Sequence, residues 1–104
     1  MNASYEIVEA RIALGPAGYP RPVVVLYIQV DAHRVLPISS KLDLYRADQH
    51  FLIRDDHPDF PATGLRVTSY IVGSTVIDVP SSDVIRKLGA LTGGLADEFA
   101  RWID

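Results

Sequence analysis

Arg21-Pro22-Val23-Val24-Val25-Leu26-Tyr27-Ile28-Gln29 is the stretch whose reading decides the fold. Three successive valines followed by Leu, Tyr and Ile are too uniformly apolar for a half-solvated strand, whose side chains alternate between core and water. The run therefore predicts a central strand buried on both faces. Pro22 has no backbone N–H and belongs at the strand's start, where no ladder donor is needed. Packing accounts for the valines but not for the arginine in front of them, nor for the two hydroxyls and the lysine of Ser39-Ser40-Lys41 that close the next apolar segment.

Outward from this strand the chain reads as short β pieces. Residues 5 to 14 form a strand that stops at Gly15-Pro16-Ala17-Gly18, a turn signal. Val30 to His33 is a tight connection, and Arg34 to Ser39 is a third strand that Pro37 interrupts or pushes to an edge. Residues 49–54, 65–70 and 76–79 supply further strands. Ser81 or Ser82 is placed to cap a short helix running to Leu88, with Gly89 as its left-handed stop. Beyond Thr92 the spacing of Leu95, Phe99, Trp102 and Ile103 draws one apolar helix face, leaving Asp97, Glu98 and Arg101 to solvent. Strands first and a helix last predict a mainly β, α+β architecture: a small, strongly curved barrel with a C-terminal amphipathic helix packed on it.

Length and composition bound the rest. The 104 residues suit a single domain over 1–104, in which about 60 to 65 percent of the unfolded surface is buried. With no cysteine, disulfides and thiolate zinc sites are excluded, and the expected location is cytoplasmic. The opening residues carry no basic region followed by an apolar run, and no stretch approaches a membrane span, so neither a leader nor a membrane partner is expected. A net charge of -3 argues against indiscriminate nucleic-acid binding. Up to Arg46, however, five basic residues face four acidic ones, whereas the remainder carries five against nine, so a polyanion is better tolerated by the first half.

Among chemical candidates, Asp55-Asp56-His57-Pro58-Asp59 contains oxygen and imidazole donors, but aspartate and proline are also ordinary turn residues, and no metal is expected. His33 and His50 have no carboxylate partner in sequence. Arg21 carries a planar set of donors suited to a phosphate, held in place by the packed run behind it; the alternative is an ion pair with Glu6 or Glu9 on the first strand. Ser39 and Ser40 are either ligand donors or turn formers.

In order along the chain, Arg21-Pro22-Val23-Val24-Val25-Leu26, Pro37-Ile38-Ser39-Ser40-Lys41, Thr63-Gly64-Leu65 followed by Ser69, and Arg86-Lys87-Leu88-Gly89-Ala90-Leu91 before an amphipathic helix resemble the PemK/MazF family of toxins from bacterial type II toxin–antitoxin systems. The resemblance runs from about residue 19 to the end. It implies an SH3-like barrel, a homodimer, and a metal-independent, cofactor-free endoribonuclease that cuts single-stranded RNA at selected sequences and is blocked by a cognate antitoxin protein. Arg21 and Ser39 match the family's catalytic arginine and hydroxyl, with Ser40, Lys41, Tyr19 and Ser69 as substrate-binding neighbours. Tyr19, in the proline-flanked turn, is available to stack on an unpaired base or to pack locally. The family's charged loop before the Arg-Pro pair is replaced here by Gly15-Pro16-Ala17-Gly18-Tyr19-Pro20. The alternative function is therefore a PemK-like barrel without catalysis, binding protein or nucleic acid.

Overall fold

The computed structural model describes residues 4–12 and 20–103. Seven strands form one antiparallel sheet: β1 (Tyr5–Arg11), β2 (Pro20–Ile28), β3 (Ala32–Ser39), β4 (His50–Ile53), β5 (Ser69–Val72), β6 (Ile77–Pro80) and β7 (Val84–Leu91). A helix, α1 (Gly93–Ile103), follows. The path through the sheet is β4-β5-β3-β2-β1-β7, with β6 also paired to β3.

The valine run behaves as its composition requires. Val24 packs into a core with Ile7, Leu36, Ile38, Phe51 and Phe99. Its neighbours Val23 and Val25 point to the opposite face, into a second core with Val8, Ala10, Val35 and Val79. A strand has two faces, and over Val23–Val25 both are dry, which is why alternation disappears there; the expectation fails for the end of the run, where Tyr27 and Ile28 are exposed beyond the edge of both cores. The register between β2 and β3 slips at Leu26, and that between β1 and β7 slips twice. Such bulges add local twist and bend the sheet enough to enclose two cores.

Pro37 neither breaks β3 nor places it at an edge. It is buried within the strand and pairs in register with Val23. On its other side β3 changes partner: β6 pairs with Ala32 to Val35, and β5 pairs with Ile38 and Ser39. Pro37 falls in the gap between them, where a missing donor costs that side no ladder bond.

The helix expected from Ser81 to Leu88 is absent. Residues Ser81–Asp83 make a single 3₁₀ turn, and Val84–Leu91 is strand β7, paired along β1. The serine signal is satisfied by that turn; the β-branched Val84 and Ile85 and a free edge on β1 then favour pairing over helix. Gly89 is not a helix stop but a point of close approach: a Cβ there would run into the backbone of Ala62 and Thr63. Those residues belong to a second 3₁₀ turn, Pro61–Thr63, closed by the left-handed Gly64 at φ 74°. Gly64 in turn lies against the backbone of Leu88. The strand expected from Leu65 begins only at Ser69.

These contacts bear on the barrel. Among the described residues β4 and β7 end the sheet path and do not pair with each other, so the sheet is not a closed barrel. The turn before Gly64 covers the β7 backbone instead.

Helix α1 buries Leu95, Ala96 and Phe99 against the sheet. Its start is held from a distance: the Leu95 N–H donates to Asp59 Oδ2 at 3.3 Å, and the Asp59 carboxylate lies against Gly93. In the same loop the Asp59 N–H donates to His57 Nδ1 at 3.0 Å. This leaves the His57 proton on Nε2, which faces Glu98 of the helix at 2.9 Å. The Asp55–Asp59 loop thus docks the helix. No group of three or more His, Asp or Glu side chains is arranged to hold a metal among the described residues. Asp59→Ala is expected to lower stability by about 1 kcal/mol, the usual worth of an N-terminal carboxylate cap, as measured by urea unfolding. No helix is long and apolar enough to cross a membrane among the described residues.

Candidate functional site

The ends of β2 and β3 position the site. Val23 pairs with Pro37 and Val24 with Leu36; continued outward, the register sets Pro22 across from Ile38 and Arg21 across from Ser39. On the far side of β3, Ser39 pairs with Tyr70, next to Ser69. On the far side of β2, Pro22 pairs with Glu9 of β1, and Glu9 pairs with Arg86 of β7. Five strands therefore bring polar residues to one place. A groove of about 630 Å³ opens there, and Arg21, Ser39, Ser40, Lys41 and Ser69 all line it. Of the candidate site residues, Tyr19 lies outside the described residues, as does the Gly15–Gly18 turn expected before it.

The segments that carry these groups are pinned by local hydrogen bonds. Ser39 Oγ accepts from the Lys41 N–H at 3.2 Å, an ST turn that leaves its own proton available to a ligand. Tyr70 donates its hydroxyl to the Lys41 carbonyl at 3.2 Å. The buried Thr63 hydroxyl donates to the Phe60 carbonyl at 2.7 Å and accepts from the Leu65 N–H at 3.1 Å, fixing the turn that delivers Leu65 and Arg66 to the groove. Ser69 is 4% exposed, and its hydroxyl donates to the Val67 carbonyl at 2.8 Å. Its role is to shape this loop, with its proton already committed.

Three further cations, which the sequence alone does not mark as site residues, line the groove: Arg66, Arg86 and Lys87. The last two were hidden by the helix reading of residues 81–88. As a strand beside β1, they arrive at the groove with Glu9. Arg86 Nε donates to Glu9 Oε1 at 3.1 Å, and Lys87 Nζ lies 3.6 Å from Glu6 Oε2. The two carboxylates that offered Arg21 an ion-pair partner are thus engaged by β7. Arg21 is half-buried, and its Nε is buried without a hydrogen-bond partner among the described residues. A donor left unpaired on a guanidinium costs free energy unless something occupies it.

Neither His33 nor His50 lines the groove. His33 Nδ1 is 3.1 Å from Ser81 Oγ. His50 accepts from the Arg46 N–H at 2.9 Å and stacks on Tyr70 with ring centroids 4.5 Å apart. Among the lining residues, five cations meet one carboxylate, Glu9, so the groove is locally positive on a chain whose net charge is -3. A concentrated positive cleft attracts a polyanion whatever the overall balance. A second cavity of about 440 Å³, bounded by Leu26, Leu36, Val76, Trp102 and Ile103, is mainly apolar and offers no comparable chemistry.

Neither a protein-family model nor a curated protein sequence matches the chain.

Proposed function

We propose that this protein is a PemK/MazF-like toxin: a metal-independent endoribonuclease that cuts single-stranded RNA by attack of the 2′-hydroxyl on the adjacent phosphate. The observation that carries this reading is the buried Arg21 Nε, without a hydrogen-bond partner among the described residues, in a groove whose lining carries five cations, three serines and one carboxylate. Transesterification through the 2′-hydroxyl builds negative charge on the non-bridging phosphate oxygens. Fixed donors aimed at that charge need no reorganisation as it develops. Arg21 supplies a permanently protonated donor, Ser39 a hydroxyl on the facing strand, and Lys41 and Arg66 bind flanking phosphates. In this reading the curved sheet is an open variant of the SH3-like barrel, the protein acts as a homodimer, and a cognate antitoxin covers the groove.

A second reading is a PemK-like module that binds RNA or a protein without cutting. Its support is the lack of any histidine lining the groove among the described residues, since histidine is the commonest acid–base group at neutral pH.

Incubating the purified protein with a long mixed-sequence RNA in EDTA separates the two. Discrete cuts leaving 5′-hydroxyl ends are the expected result. RNA that is bound but left intact by the folded protein would establish the binding module instead.

A further inference from the structure

We infer that Glu9 is the group that takes the proton from the attacking 2′-hydroxyl, an assignment that rests on the ribonuclease reading above. Acid–base chemistry at the groove has few owners. Arg21, Arg66 and Arg86 do not give up their protons, serine hydroxyls are poor bases, and a lysine must first lose its own proton before it can accept another. Lys87 is also held by Glu6. Glu9 is the one lining group among the described residues that is a proton acceptor in its ordinary ionised form.

Its placement suits the task. Glu9 is paired with Pro22 on one side and Arg86 on the other; strand alternation turns it to the face opposite the neighbouring Ala10–Arg21 pair, and both Glu9 and Arg21 line the groove. Its side chain is 26% exposed, enough for a ligand to reach it. Arg86 holds Oε1 and thereby orients the carboxylate, while Oε2 has no donor among the described residues. A carboxylate steered through one oxygen, with the other directed to reaction, is the usual division of labour in general base catalysis.

The step balances without a further reactant. Glu9 Oε2 accepts the 2′-hydroxyl proton as the 2′-oxygen bonds to phosphorus, and the bond from phosphorus to the 5′-oxygen breaks. That oxygen leaves with a proton from water, and the hydroxide so formed recovers the proton from Glu9. The products are a 2′,3′-cyclic phosphate and a 5′-hydroxyl end, with Arg21 facing the charged phosphate throughout.

The test is single-turnover cleavage of RNA by the full chain and by Glu9→Ala, Glu9→Gln and Arg86→Ala, with binding of a 2′-O-methyl analogue measured in parallel. Glu9→Ala and Glu9→Gln are expected to cut about 100-fold more slowly yet bind the analogue at least as tightly, having lost a negative charge. Added formate is expected to restore much of the Glu9→Ala rate. Glu9→Gln still accepts a hydrogen bond from Arg86, so it keeps the test valid if the alanine variant fails to fold. A Glu9→Gln rate within about threefold of the parent, or an Arg86→Ala loss equal to that of Glu9→Ala with no effect of formate, would overturn the assignment and leave the ribonuclease reading standing. A parent protein that binds the analogue but never cuts RNA would overturn both.

Discussion

Arg21→Ala is expected to slow RNA cleavage by about 1000-fold, the scale of removing a preorganised donor from a developing oxyanion, while the melting temperature stays the same or rises slightly. The two halves of that expectation come from one observation. Among the described residues the buried Arg21 Nε has no hydrogen-bond partner, so this donor bears a desolvation cost that no bond from those residues offsets. Alanine removes the cost along with the donor. Were Arg21 a structural ion-pair partner, its loss would strand a carboxylate and destabilise the fold; but Glu9 and Glu6 already face Arg86 and Lys87. Thermal unfolding and cleavage rates measured on the same preparation decide the matter. A fall of several degrees with cleavage intact would assign Arg21 to packing beside Ala10, the residue it opposes across β1 and β2. Arg21→Lys is expected to recover little, because a single ammonium does not reproduce the planar fork.

How far the sequence reveals this site depends on whether each determinant is local. The valine run announces a doubly buried strand because burial on both faces erases alternation, and that is visible in one window. Likewise, Leu95, Phe99 and Trp102 announce the helix face, since their spacing alone defines it. Residues 81–88 mislead for the converse reason. Two serines and a later glycine are a local helix signature, whereas the pairing that makes β7 a strand comes from β1, about 80 positions earlier. Once β7 is missed, Arg86 and Lys87 lose their place beside Glu9, and half of the groove's charge goes with them. Asp59 is a similar case: a helix cap recruited from a loop more than thirty residues upstream has no sequence signature, so its loop reads as turn residues or stray metal donors. Arg21, Ser39, Ser40, Lys41 and Ser69 belong together through a family resemblance and not through spacing, and they do share one groove. Within it Ser69 differs from the rest, because its hydroxyl is spent on the Val67 carbonyl.

Phe99→Ala should give the opposite signature to Arg21→Ala. Phe99 is fully buried at the junction of helix and sheet. Its ring meets Tyr5 edge-on at 4.9 Å and Phe51 at 5.3 Å, and lies beside Trp102 at 6.1 Å. Truncation removes the transfer free energy of the ring and leaves a cavity whose walls are other aromatics, each held by its own backbone element; together these cost about 3–5 kcal/mol. For a chain of this size that is a fall of roughly 15–25 °C in melting temperature. Total stability of a small domain is about 5–15 kcal/mol, so the variant remains largely folded in the cold. Phe99 packs in the core between α1 and the sheet, and the groove is lined instead by the ends of β2 and β3 and by β7. Cleavage by the folded fraction at low temperature is therefore expected to match the parent, with activity collapsing only as the protein melts. If Phe99→Ala lost cleavage while still folded, the helix would be coupled to the groove through the sheet, and the site would have to be drawn larger than the strand ends that line it.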